Sequence, residues 1–303
     1  MNDLSVPVLE ISHLSKSYGH IRALDDFSLT IQKGEVVGIL GPNGSGKTTT
    51  LGILLDILKA DKGDYRWFGQ KPDSLTRRRI GALLEQPIFY PYLSAVKNLQ
   101  LVADIKGVGY NEIDEHLKQV GLYERRLGKF KTYSLGMKQR LAIAATLIGD
   151  PEVLILDEPT NGLDPKSIAE IRNLIIDIAG RGLTVILASH LLDEVQKTCS
   201  HVAILDKGRS LHSGRVEDVL NSSTQLELRT QNMPELLKAL AAFDFVAETR
   251  LDKDMLTVSL NKEIDPAQLN RDLVSQGIYL SHIMLRKRSL ESYFLELLSE
   301  KNG

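Results

Sequence analysis

Cysteine is nearly absent. Cys199 is alone among 303 residues, so an internal disulfide is excluded and a reducing compartment is the simple reading. Aromatic residues make up only 6% of the chain, and neither sign of charge dominates. With 37 basic against 39 acidic residues the net charge is -2, which removes the broad positive field expected of a nucleic-acid binder. No uncharged apolar run approaches the length of a bilayer span, and the segment from Leu51 to Leu58 is broken by Asp56. Met1-Asn2-Asp3-Leu4 has neither a basic flank nor an apolar segment, so no signal peptide is expected. Work at a membrane would need another subunit to cross it. Repeats and low-complexity tracts are also lacking, and the polar patch Asn221-Ser222-Ser223-Thr224 is the best candidate linker. The 43% of hydrophobic residues suffices for one large core or two unequal ones.

What is present centres on Gly41-Pro42-Asn43-Gly44-Ser45-Gly46-Lys47-Thr48-Thr49. It fits the phosphate-loop spacing: glycine, four free positions, then glycine, lysine and threonine. Val36 to Leu40 before it is a short apolar run of buried-strand type, and Thr50 to Leu58 after it has helical spacing. The glycines let successive N–H groups face one concave point, and a starting helix adds its positive end there. Lys47 supplies a cation for the β and γ phosphates, and the Thr48 hydroxyl is a hard oxygen suited to magnesium.

Around this loop, Val8 to Leu14 and Phe27 to Ile31 alternate as strands, joined by a loop at Tyr18-Gly19-His20. The Tyr18 ring could stack on a purine or pack at a strand end. Tyr65 to Gly69 and Ile80 to Leu84 read as further strands, and Arg77-Arg78-Arg79 between them reads as a solvated face. Ser94 to Lys106, Asn111 to Val120 and Leu135 to Ile148 have apolar faces of helical period, a helical insertion in an α/β core.

Val153 to Leu156 is a buried strand that runs into Asp157-Glu158-Pro159. Neighbouring side chains at a strand end point opposite ways, so one carboxylate can serve magnesium while the other takes a proton from water. Thr184 to Ala188 is another buried strand, followed by Ser189-His190; on placement alone His190 reads as a core histidine. Val202 to Asp206 completes the set. From Gln225 the order strand, helix, strand, strand, helix, strand matches the split βαβ, ferredoxin-like arrangement. A last helix places Leu290, Tyr293, Phe294, Leu297 and Leu298 on one face, read as core packing.

Taken together, Val8 to Leu220 resembles the ATP-binding subunits of ABC transporters. Gly41 to Thr48 matches Walker A, and Val153 to Glu158 matches Walker B with its following glutamate. Gln86 falls in the Q-loop, Asn161 to Asp164 resembles the D-loop, His190 is placed like the switch histidine, and Tyr18 matches the adenine-stacking aromatic. The signature segment reads Tyr133-Ser134-Leu135-Gly136-Met137 where the family has Leu-Ser-Gly-Gly-Gln. Ser134 and Gly136 are kept, while Leu135 and Met137 depart. This form, with the appended C-terminal domain, resembles the ABC-2 type export subfamily.

The resemblance implies a P-loop NTPase core with an antiparallel β subdomain and a helical subdomain at about 87–150, together 1–221, and a small α+β ferredoxin-like domain at 222–303. It implies ATP and Mg²⁺ as cofactors. Gly41 to Thr49 would hold the phosphates, Thr48, Asp157 and Gln86 the magnesium, and Glu158 would be the general base, with His190 and Gln86 positioning the γ phosphate and water. Ser134 and Gly136 would meet the nucleotide of a second subunit, identical or closely related, and Asp164 of the D-loop would also bind nucleotide. The expected partner is a separate transmembrane permease that exports its cargo, with this chain peripheral on the cytoplasmic face of the membrane and no nucleic acid involved. The other readings are a soluble ABC ATPase not coupled to transport and a low-turnover regulatory module. Against the soluble reading, the chain lacks a second cassette and a long coiled-coil insertion.

Overall fold

The computed structural model describes residues 6–84, 87–221, 224–262, 264–286 and 289–302. Two compact units divide the chain, Met1–Gly214 and Arg215–Gly303. In the first, a three-stranded antiparallel sheet has the order β2-β1-β4, from β1 (Leu9–Tyr18), β2 (Ile21–Ile31) and β4 (Lys62–Trp67). Alternating apolar residues of β1 and β2, among them Leu9, Ile11, Phe27 and Ile31, bury one face of this sheet in a hydrophobic core shared with β3 and α1. Trp67 sits fully buried in that core and donates its indole N–H to the Leu54 carbonyl, 3.0 Å away, at the end of helix α1 (Lys47–Leu54).

A six-stranded sheet carries the site. Its order is β5-β6-β7-β3-β8-β9, from β3 (Val36–Leu40), β5 (Ile80–Leu83), β6 (Val153–Asp157), β7 (Thr184–Ser189), β8 (His201–Asp206) and β9 (Arg209–Arg215). Strands β5, β6, β7, β3 and β8 pair in parallel, and β3, β6 and β7 are buried along their whole length. That is why they read as unbroken apolar runs. The register sets Leu40 beside Ser189 and Asp157 beside Ala188. The three segments that follow β3, β6 and β7 therefore leave the sheet at one level, where open parallel sheets hold their ligands.

The helical insertion contains α3 (Ala95–Lys106), α4 (Ile113–Gln119) and α5 (Leu135–Leu147). Short α2 (Ser74–Arg78) precedes β5, α6 (Pro165–Gly180) joins β6 to β7, and α7 (Leu192–Thr198) joins β7 to β8. The arginine run is not a uniformly solvated face. Arg77 pairs with Asp56 at 2.8 Å, while Arg79 donates to Glu152 at 2.9 Å and stacks on Phe68. A guanidinium can fork onto a carboxylate and cover a ring at once, which a bare count of like charges does not reveal.

The second unit begins with α8 (Val216–Asn221), ahead of the polar patch, of which Ser222 and Ser223 lie outside the described residues. Strands β10 (Thr224–Thr230), β11 (Val246–Asp252), β12 (Met255–Leu260) and β13 (Leu280–Arg286) form an antiparallel sheet in the order β11-β12-β10-β13. With α9 (Met233–Leu240) after β10 and α10 (Pro266–Ser275) after β12, this is the ferredoxin-like order read from the sequence. Its own core includes Leu226, Leu228, Leu236, Leu256, Val258 and Leu273. In α11 (Leu290–Asn302), Leu290 is fully buried and Tyr293, Phe294, Leu297 and Leu298 are half-buried, so the apolar stripe is covered.

Candidate functional site

Two glycines explain why the loop between β3 and α1 takes its shape. Gly46, at φ +109°, would bring a Cβ to 2.5 Å from the Ala23 carbonyl oxygen, so no larger residue fits beneath β2. Gly44, at φ +80°, faces open space. The loop is braced from below: the Gly208 N–H donates to the Ser45 carbonyl at 2.9 Å, and the Ser45 N–H to the Pro42 carbonyl at 3.1 Å.

Within this loop the Lys47 side chain is 6% exposed and curls back. Its ammonium donates to the Gly41 carbonyl at 2.7 Å and the Pro42 carbonyl at 3.3 Å, and lies 3.7 Å from Glu158 Oε1. The Thr48 hydroxyl donates to Asp157 Oδ2 at 3.1 Å. Asp157 is 2% exposed. A hydroxyl and a buried carboxylate side by side at a phosphate loop form a hard oxygen pair, and this donor chemistry fits Mg²⁺.

The two adjacent carboxylates take separate partners, but by a backbone turn and not by strand alternation, since β6 ends at Asp157. The Glu158 N–H still donates to the Ala188 carbonyl of β7 at 2.9 Å, but the residue adopts φ +47°. This conformation is uncommon for glutamate and costs on the order of 1–3 kcal/mol. Glu158 thereby lies between Lys47 and His190, whose Nδ1 is 2.8 Å from Glu158 Oε2. His190 is not a core histidine: its side chain is 38% exposed, and its ring engages the carboxylate. Lys47, Thr48, Asp157, Glu158 and His190 are thus one constellation across β3, β7 and β6.

Ser134, Gly136 and Asp164 form a second cluster. Ser134 caps α5, its Oγ accepting from the Met137 N–H at 3.2 Å. Asp164 caps α6 by accepting from the Ser167 N–H at 3.0 Å and the Ser167 hydroxyl at 2.8 Å, bonds that hold its carboxyl below the usual range. A Cβ on Gly136 would meet Ser167 Oγ at 2.6 Å, so the two helix starts are in close approach. Ser167 is absent from the sequence reading, although Asp164-Pro165-Lys166-Ser167 is a legible helix start. Tyr133 is buried and donates its hydroxyl to the Arg125 carbonyl at 2.6 Å, while Leu135 is exposed at the tip of α5.

Tyr18 ends β1 with its ring 46% exposed and the Lys16 ammonium 5.7 Å from its centroid. It is open to contact instead of packed at the strand end. Gln86 lies outside the described residues.

A family model described as ABC transporter matches residues 24–161. The chain is 41% identical over 299 residues to the uncharacterized ABC transporter ATP-binding protein YhcH of Bacillus subtilis, covering 97% of this chain and 96% of that one. It is 36% identical over 299 residues to the bacitracin transport ATP-binding protein BcrA of Bacillus licheniformis, with 96% and 97% covered. Among solved structures, CbiO1 of Clostridium perfringens, part of the ABC transporter complex CbiONQ, superposes with a TM-score of 0.66 at 31% identity over 70% of this chain and 90% of that one. The ATP-binding cassette MJ0796, a dimer in a post-hydrolysis state bound to ADP and phosphate, gives 0.61 at 28% identity, with 69% and 98% covered.

Proposed function

This chain belongs to the ABC transporter family as an ATP-binding, ATP-hydrolysing subunit, and from that premise we propose how its residues do the work and what they drive. The observation that carries the reading is the single constellation of Lys47, Thr48, Asp157, Glu158 and His190 at the phosphate loop. The triphosphate lies along the N–H groups of Gly44 to Thr49, with Lys47 neutralising its β and γ groups. Thr48 and Asp157 hold the magnesium, which, when bound, offsets phosphate charge.

Glu158 accepts a proton from the attacking water. His190 keeps that carboxylate in place through Nδ1, and its Nε2 would serve the γ phosphate. Ser134, Gly136 and Asp164 of a second copy, or of a closely related subunit, complete the pocket from the other side. Bound ATP then favours a closed pair only through contacts that exist in that closed state, and hydrolysis removes them.

No described helix is long and apolar enough to cross a membrane. The chain docks on the cytoplasmic side of a separate permease. Exposed Ile88, Tyr90 and Tyr92, beside a groove lined by Leu83, Phe89 and Val102, support this segment as the contact. The complex works in export, and peptide antibiotics such as the bacitracin named for one relative are the first cargo class to test. Affinity purification in detergent tests the assembly. A polytopic membrane protein is expected to co-purify and to raise ATP turnover; isolation of a fully active soluble ATPase with no such protein would overturn the reading.

A further inference from the structure

Away from the nucleotide site, metal-ligating side chains converge where α4 meets the turn after α5. Glu112, at the N-cap of α4, His116 one turn later and Asp150 present donor atoms that all lie within 4.8 Å of one another. The i, i+4 spacing puts Glu112 and His116 on one helix face, and Glu112 Oε2 lies 3.8 Å from His116 Nε2. Asp150 joins them because Gly149 and Asp150 are both left-handed, at φ +84° and +47°, turning the chain sharply between α5 and β6.

The histidine is the informative member. His116 is 9% exposed, and both ring nitrogens are buried without a hydrogen-bond partner. Gln119 borders the ring but makes no bond of ordinary geometry to it. Buried polar groups are almost always satisfied, so an orphaned imidazole marks a missing partner. Glu112 and Asp150 bring two carboxylates to the same point as the ring, so a cation held among the three would satisfy the imidazole and both carboxylates together.

We propose that Glu112, His116 and Asp150 bind a divalent first-row transition ion, such as zinc, at a site distinct from that of the nucleotide. Imidazole nitrogen with two carboxylates suits such an ion, whereas magnesium prefers an all-oxygen shell. Two donors about 2.1 Å from a tetrahedral ion sit about 3.4 Å apart, so a small rotation of the exposed Glu112 side chain closes the 3.8 Å separation. The ion would tie α4 to the turn that enters β6, the strand ending at Asp157.

The test uses the full chain without nucleotide. Zinc is titrated calorimetrically and Co²⁺ is followed by its visible d–d absorption. One ion per chain is expected, with a rise in melting temperature. The variant Glu112→Gln/Asp150→Asn changes two exposed positions, so it is expected to keep native circular dichroism and ATP affinity while binding zinc at least tenfold more weakly. His116→Gln should abolish the Co²⁺ bands. Absence of saturable binding by the native chain, or an affinity unchanged in the double variant, would overturn the proposal, the latter assigning the ion to surface histidines elsewhere.

Discussion

Glu158 and His190 meet side chain to side chain at 2.8 Å, although 32 positions separate them in the chain. The pairing exists because β6 and β7 are parallel neighbours whose ends are level, and because Glu158 turns left-handed immediately after Asp157. The same carboxylate is 3.7 Å from Lys47. A phosphate chain arriving at Lys47 would compete with Glu158 for that cation, and on the proposed reading this would couple nucleotide binding to release of the base.

Glu158→Gln keeps the hydrogen-bonding shape but cannot accept a proton. ATP binding is expected to persist while turnover falls by about 10² to 10⁴, the usual worth of a positioned general base. Equilibrium binding and steady-state phosphate release measure the two halves. Normal turnover would remove Glu158 from the role.

Lys47→Met removes the buried ammonium that the Gly41 and Pro42 carbonyls hold in place. A hydrogen bond to a charged group is worth about 1.5–3 kcal/mol, so ATP affinity should drop by about one to two orders of magnitude. Calorimetric titration checks this, and adenosine, which lacks phosphates, should bind the variant and the native chain alike.

Tyr18→Ala should weaken ATP by about 1–3 kcal/mol, the worth of one aromatic stacked on a base, and Tyr18→Trp should preserve it. The ring is half-exposed and its contact with Lys16 is at the surface, so little stability should be lost and the melting temperature serves as the control.

Parts of this site were legible in the chain and parts were not, for physical reasons. The phosphate loop and the runs Val36 to Leu40, Val153 to Leu156 and Thr184 to Ala188 announce themselves because a strand buried on both faces must be apolar throughout. The ferredoxin-like order of the second unit follows from alternation and turn residues. Helix α6 lies outside the elements read from the sequence, despite Ile171, Leu174, Ile175 and Ile178 on its buried face. Nothing local announces the left-handed turn at Glu158, nor the brace from Ala23 and Gly208 under the loop, since both depend on strands distant in sequence. The role of His190 likewise required knowing that β7 lies between β6 and β3.

The Arg79–Glu152 pair gives an acid-side prediction. The Arg79 guanidinium holds the Glu152 carboxyl below its usual 4.5, while partial burial opposes this more weakly. A lowered folded-state pKa stabilises the fold above the unfolded value, and that contribution disappears as pH falls through the folded one. Compared with Glu152→Gln, the native chain should therefore melt higher by a constant margin above about pH 5, and the margin should close below pH 4.5. Both side chains are over a third exposed, so the margin should also shrink in high salt.

Ser134 separates helix capping from the proposed contact with a second subunit. Its Oγ accepts from Met137 within its own helix, and the residue is exposed. Ser134→Ala loses the cap, about 1 kcal/mol, whereas glycine at an N-cap costs only a few tenths. Ser134→Gly should therefore melt close to the native chain and bind ATP as a monomer with native affinity. If the hydroxyl reaches across to the partner's γ phosphate, both variants should still fail to form the ATP-dependent dimer that Glu158→Gln, binding ATP without hydrolysing it, is expected to accumulate. Placing Ser134→Gly in the Glu158→Gln background and sizing the protein with and without ATP makes the comparison. A dimer that persists would confine Ser134 to starting α5, and the trans contact would then have to come from Gly136 and Asp164 alone.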